Sequence, residues 1–155
     1  MKSTEQLVRE LADREEIKEL TARYAHGVAH GEGLKVAELF TDNGTFINRL
    51  NPNEQPTVVK GREALNKFYG AIKRNVAVPC IHNHLINLNG DEATGTCSIE
   101  VRITRNNQSM IGSGYYEDRF RRENGQWKFV ERDCTFFHFV PIQQGWAEAA
   151  AKSGQ

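Results

Sequence analysis

The sequence predicts an α+β fold, with helices packed on one face of an antiparallel sheet. Two observations carry this. Up to about residue 74, apolar side chains recur at helical spacings of three and four. From residue 78 onward they alternate, and the runs are joined by tight turns, two of them Asn-Gly turns that favour hairpins. Helices first and a meander second put the helices on one side of a sheet. A length of 155 residues predicts one domain, residues 1–155, with 142–155 as a C-terminal tail. A chain of this size buries roughly 70% of its unfolded surface, enough for a core without disulfides or metals.

The elements follow in order. Leu7 and Leu11 open a helical pattern, and Asp13 with Glu16 forms an N-cap box ahead of Ile17, Leu20, Tyr24 and Val28. A helix is therefore expected near 14–30, ended by Gly31 and Gly33. A short helix from Leu34 to Phe40 stops at the turn Asp42-Asn43-Gly44, and a strand is expected near 45–49. Pro52 and Pro56 mark a loop, and a short strand ends at Gly61. Leu65, Phe68, Tyr69 and Ile72 give the apolar face of a third helix, Arg62 to Arg74. Four long runs follow, 80–88, 92–104, 108–122 and 126–140. The second alternates cleanly, with Ala93, Gly95, Cys97, Ile99, Val101 and Ile103 on one face. Strands this long must twist and coil, so the sheet is expected to form a cone with one open mouth, a natural ligand pocket.

Charge excludes several partners. Twenty Lys and Arg balance twenty Asp and Glu, so no long-range field gathers nucleic acid or an acidic membrane. No apolar run approaches the ~18 residues of a membrane span. The polar, helical N-terminus does not read as a signal peptide, which leads to a cytoplasmic expectation. Cys80, Cys97 and Cys134 are odd in number and lack CxxC spacing, so reduced, partly buried thiols are expected. No Gly-rich phosphate loop or nucleophile elbow occurs, and no cofactor is expected.

Three stretches carry a resemblance: REEIKELTARYAHGVAHG with LKVAELFTDNGTF, then GREALNKFY, then GSGYYEDRFRRENGQWKFVERD. Over about residues 10–142 the chain resembles the SnoaL-like branch of the nuclear transport factor 2-like superfamily, on its dehydrochlorinase and scytalone dehydratase side. The resemblance implies a cystatin-like cone, a strongly curved antiparallel sheet with three N-terminal helices over its concave face. It also implies a homodimer or homotrimer. Members include dehydratases, dehydrohalogenases, isomerases, polyketide cyclases and non-catalytic binders, so the fold is implied more sharply than the chemistry.

The dehydratase and dehydrohalogenase members use a His–Asp pair, in which the buried Asp orients an imidazole that takes a proton from carbon. Alignment places Ala29 at the Asp position and Pro79 at the His position. Histidines stand close to both: His26 and His30 on the helix, His82 and His84 on the strand. A β-bulge would bring His82 or His84 inward; otherwise they face away from Asn83, which the family register points inward. The two pairs also have spacings that suit zinc. By the resemblance, however, helix position 29 faces the pocket, and an imidazole near a helix C-terminus is favoured anyway, so no metal is expected.

Arg132 matches the family's Arg, a group that stabilises a leaving anion; its alternative is an ion pair with Glu131 or Asp133. Tyr24 either reaches the pocket with its hydroxyl or packs in the core. Asn83 either meets a substrate carbonyl or ties down backbone. Tyr116 and Asp118 share a face with Gly112 and Gly114, which leave room for a ligand or a helix. Phe136, Phe137 and Phe139 wall a pocket or an interface, and His138 falls on the Phe136 and Arg132 face by period-2 counting.

The expectation is a cofactor-free acid–base enzyme, a lyase of dehydratase type or an isomerase, acting on a small, largely apolar cyclic or carbonyl compound. His26 or His82 would be the base, Arg132 and Tyr24 would handle developing charge, and Asn83, Tyr116, Asp118, Phe136 and His138 would contact substrate. The alternatives are a non-catalytic binder of small molecules and a structural small subunit of a larger oxygenase assembly. A homodimer would pair through the convex sheet face and the Phe136–Phe139 strand.

Overall fold

The computed structural model describes residues 1–145. Three helices, α1 (Thr4–His30), α2 (Gly33–Glu38) and α3 (Arg62–Gly70), accompany six strands. These are β1 (Phe40–Arg49), β2 (Thr57–Lys60), β3 (Ala77–Asn89), β4 (Glu92–Arg105), β5 (Gln108–Glu123) and β6 (Gln126–Pro141). They form one sheet in the order β2-β1-β6-β5-β4-β3. Residues 142–144 of the expected tail form a turn after β6, and 146–155 lie outside the described residues.

Two expectations need correction. The sheet is mixed, because β1 runs parallel to β6 while β3 to β6 form the antiparallel meander. It is also open, not a strongly curled cone: β2 has four residues, and β2 and β3 end the sheet as separate edges.

Helix α1 begins ten residues before the expected 14. Ser3 caps it, accepting from the Gln6 amide at 3.2 Å while its own amide donates to Gln6 Oε1 at 2.8 Å. Asp13, read as a cap, instead lies buried in the middle of the helix and tethers it to the sheet. It accepts two bonds from Arg122, at 2.6 and 3.2 Å, and one from Trp127 Nε1 at 3.1 Å. Arg14 adds a bond to the Ile86 carbonyl across β3. Gly31 closes α1 with φ 73°, and a Cβ there would stand 2.5 Å from the Arg74 amide, so only glycine suits both the turn and the contact. Strand β1 starts at Phe40 rather than 45: the expected turn at 42–44 is a register irregularity inside the strand.

The core lies between the helices and the inner sheet face. Helix α1 contributes Ile17, Leu20, Tyr24 and Val28, and α3 contributes Leu65 and Tyr69. The sheet answers with Phe40, Phe46, Ile99, Val101, Phe120 and Phe129, the inward residues of successive strands. Asp118 and Arg132 are buried among them.

Candidate functional site

A cavity of about 140 Å³ opens between α1, α3 and the inner sheet face. Val28, Phe46, Phe68, Ile99, Val101 and Phe136 make most of its wall apolar. Its polar groups are Tyr24, Tyr69, Tyr116, Asn48 and Cys134. Among the described lining residues there is no imidazole and no carboxylate.

Tyr24 follows Leu20 by four on α1, so the stripe that buries the helix also drives this ring inward. Tyr69 reaches it from α3, and the two hydroxyl oxygens are 3.0 Å apart. Tyr24 packs edge-to-face on Tyr69 and Tyr116, at 5.8 and 6.1 Å between centroids. Burial pushes the Tyr24 phenol up to about 12 against the pull of Arg132, and burial also raises Tyr69 and Tyr116 well above their ordinary values. All three are therefore neutral hydroxyls near pH 7. One member of the Tyr24–Tyr69 pair donates to the other, which leaves its partner's hydrogen free to donate onward.

Beneath the tyrosines lies a buried charge. The Arg132 guanidinium sits 3.6 Å from the Tyr116 ring centroid, 4.3 Å from that of Tyr24 and 4.5 Å from that of Phe129. Its Nε is 3.1 Å from Asp118 Oδ1, an ion-pair distance without hydrogen-bond alignment, and Nη2 donates to Oδ2 at 3.3 Å. The partner is thus Asp118. Glu131 pairs with Arg119 instead, and Asp133 takes both Nε and Nη2 of Arg49. Burial raises the Asp118 carboxyl to about 6, with Arg132 pulling the other way. Burial also opposes the charge of Arg132, but Asp118 and the surrounding rings more than offset it and hold the guanidinium protonated. The thiols of Cys97 and Cys134 rise to about 11 and about 12, again through burial. Neither Arg132 nor Asp118 lines the cavity; Arg132 lies against the Tyr24 and Tyr116 rings that do.

The histidines go elsewhere. His26 is exposed on the outer side of α1, its ring centroid 5.9 Å from that of His30 with the two planes tilted, because three residues from Ala29 carries it past the buried stripe. His82 and Asn83 are exposed on β3. Asn83 takes a left-handed φ of 58° at a bulge where the pairing with β4 slips between His82 and Leu85, and its amide donates to Ser98 Oγ at 3.4 Å. The bulge turns His84, not His82, beneath α1. There its Nε2 is 2.7 Å from Thr21 Oγ1, whose hydroxyl donates to the Lys18 carbonyl at 2.7 Å, so the imidazole donates. His138 leaves the Phe136 face because a second irregularity sets His138 opposite Ser113 and Phe136 opposite Gly114. That irregularity brings Phe136 and Phe139 together, 5.6 Å apart, over Gly112. Of the expected contacts, Tyr24, Tyr116 and Phe136 meet at the cavity; His26, His82, Asn83 and His138 do not. Among the described residues no three His, Cys, Asp or Glu side chains group to hold a metal.

Tyr69 and Asn48 were not anticipated as site residues. Tyr69 is hidden in the apolar stripe of α3. Asn48 follows Phe46 by two, so strand alternation already puts it on the inner face.

Residues 9–133 match the SnoaL-like domain family. The chain belongs to that family. No curated protein sequence matches it. This SnoaL-like domain superposes on a protein of unknown function from Mycobacterium tuberculosis with TM-score 0.74 and 26% identity, covering 96% of this chain and 88% of that one. A putative scytalone dehydratase from Novosphingobium aromaticivorans gives 0.74 and 21%, covering 86% and 89%. A hexachlorocyclohexane dehydrochlorinase from Novosphingobium barchaimii gives 0.73 and 18%, covering 87% and 93%. The architecture is that of cystatin-like, NTF2-like proteins.

Two predictions follow from the buried groups. Asp118→Asn strands the Arg132 charge and should lower stability by about 3–5 kcal/mol in urea unfolding. Replacing both partners, Asp118→Leu with Arg132→Met, should cost less than that single change. Burial first, then Arg132, Lys18 and His82, lower the His84 pKa below its ordinary value. Its unfolded imidazole therefore binds protons more readily, so its contribution is intact above about pH 6.5 and lost as pH falls below. Denaturant titrations from pH 7.5 to 5 should show a smaller acid loss for His84→Gln than for the parent.

Proposed function

We propose that this SnoaL-like domain binds a small, largely apolar cyclic compound bearing a carbonyl group. The observation that carries this reading is the Tyr24–Tyr69 hydroxyl pair, 3.0 Å apart, set in an otherwise apolar cavity. A neutral hydroxyl in dry surroundings donates to a carbonyl at little reorganisation cost, and the ring buries against Phe46, Val101 and Phe136. A cavity of about 140 Å³ is of the order that admits one six-membered ring.

A second reading, a lyase or isomerase, draws support from the fold shared with a putative scytalone dehydratase and a dehydrochlorinase. The Arg132 cation stacked behind Tyr24 and Tyr116 also favours it, since that charge would steady an enolate-like oxygen held by the tyrosines. That chemistry needs a base within reach of the ligand's C–H. The inward imidazole, His84, is held by Thr21 beneath α1 and is not part of the cavity wall. Binding is the reading the lining favours.

We further propose a homodimer through the outer sheet face, where Phe137 is 73% exposed and packs 5.4 Å from Tyr115. Three free thiols suit a reducing cytoplasm.

Calorimetric titration should show cyclohexanone binding about tenfold more tightly than methylenecyclohexane, which has the same shape without the acceptor. The double variant Tyr24→Phe, Tyr69→Phe should erase the difference; equal affinities in the parent would end the carbonyl reading. Exchange of the α-hydrogens in D₂O, followed by NMR, should stay at the buffer rate, and catalysed exchange would decide for the enzyme. Sedimentation at micromolar protein should give a dimer that Phe137→Glu dissociates.

A further inference from the structure

Two histidine pairs have spacings that suit a metal, and the fold treats them differently. The bulge on β3 separates His82 from His84, and Thr21 occupies His84. The helix pair stays together. His26 and His30 are both exposed near the end of α1, with ring centroids 5.9 Å apart and planes tilted by 41°. Among the described residues neither imidazole has a hydrogen-bond or ion-pair partner. Residues four apart lie one above the other on a helix, so the folded backbone projects both rings from one patch of surface.

The separation suits one shared ion. With metal–nitrogen bonds of about 2.0–2.1 Å, each ring centre stands roughly 3.2 Å from the ion, so two rings on it are roughly 4.5–6.4 Å apart, between a right angle and a straight line. The observed 5.9 Å lies inside that range. Neither exposed ring is pinned by a bond, so small side-chain rotations aim one nitrogen of each at a common point. The helix end favours positive charge as well. His30 lies in the last turn, where the partial negative charge of the helix C-terminus gathers. Arg23, one turn before His26, carries an opposing cation, and Glu19 meets it at 3.4 Å.

We propose that His26 and His30 chelate one borderline divalent cation on the surface of α1, Cu²⁺ more tightly than Ni²⁺ or Zn²⁺. Imidazole nitrogen suits these ions, and Cu²⁺ heads their order of affinity for such ligands. Mg²⁺ and Ca²⁺ require oxygen ligands, which this pair does not offer. Two nitrogens fill two coordination positions and leave the others to water. The chelate is independent of the carbonyl-binding reading, because the cavity lining contains no imidazole.

The test is calorimetric titration of the untagged full chain with CuCl₂ at pH 7.5, with glycine as a weak competitor that keeps free copper in solution. One Cu²⁺ per chain should bind about tenfold or more tightly than Zn²⁺, and MgCl₂ should give no response. His26→Gln and His30→Gln should each weaken copper binding about tenfold or more, because the second nitrogen of a chelate binds intramolecularly. His82→Gln, which removes a single exposed imidazole, should leave it unchanged. Absence of copper binding, or equal affinity in the parent and both helix variants, would overturn the proposal. A loss in His82→Gln as large as that in His30→Gln would overturn it too. A second measurement needs no variant to fold: in NMR spectra of the parent, sub-stoichiometric Cu²⁺ should broaden the ring signals of two of the five histidines together, His26 and His30. Broadening of one ring alone, or of all five equally, would count against the pair.

Discussion

One buried ion pair organises the inner half of this molecule. Arg132 is fully buried, and a guanidinium in that position is tolerable only with compensation on several sides. Asp118 supplies the opposite charge from the adjacent strand, where strand pairing sets the two residues directly opposite each other. Tyr24, Tyr116 and Phe129 supply ring faces. Two of those faces come from the sheet and one from α1, so the cation holds the helix against the sheet as well as strand against strand. Arg suits this place better than Lys, because its flat, delocalised charge stacks on rings and reaches a carboxylate with two nitrogens.

The cavity chemistry follows from that arrangement. Tyr24 and Tyr116 each turn one face to Arg132 and line the cavity as well. Burial keeps their hydroxyls protonated even with a cation behind them. The result is a set of neutral hydroxyls backed by a positive charge that does not line the cavity. Such a surface suits an acceptor oxygen and gives a cationic ligand nothing to pair with. Much of the remaining wall is apolar because it is the inner face of β4, Ile99, Val101 and Ile103, and the buried stripe of α1 at Val28.

The sequence is most legible where a single period governs. The 92–104 alternation places Ala93, Cys97, Ile99 and Val101 inward as expected, and the α1 stripe places Tyr24 correctly. It is least legible where backbone geometry breaks the period. Counting by two carries His138 to the wrong face, because the slip opposite Ser113 cannot be seen in residue types alone. Asp13 shows another limit: a Ser/Thr/Asp/Asn followed by Glu three later marks a cap only when the helix starts there. Ser3 with Gln6 competes for that role and wins, freeing Asp13 to meet Arg122 and Trp127, 109 and 114 residues away. Long-range partners of this kind, like the parallel pairing of β1 with β6, have no local signature.

The bulge on β3 shows how one backbone choice redistributes function. Asn83 adopts a left-handed conformation that asparagine tolerates better than most side chains, and the strand gains a residue there. Without that slip His84 and His82 would share a face. With it, His82 stays exposed while His84 swings under α1 and is fixed by Thr21, itself bonded to the Lys18 carbonyl. An imidazole held in this way, with Arg132 and Lys18 both disfavouring its charge, works as a neutral strut between helix and strand. The strand end nearer the cavity presents Pro79 and Ala77 instead, which add shape and no proton chemistry. The same strand thus gives His84 to the joint with α1 and Ala77 and Pro79 to the cavity wall.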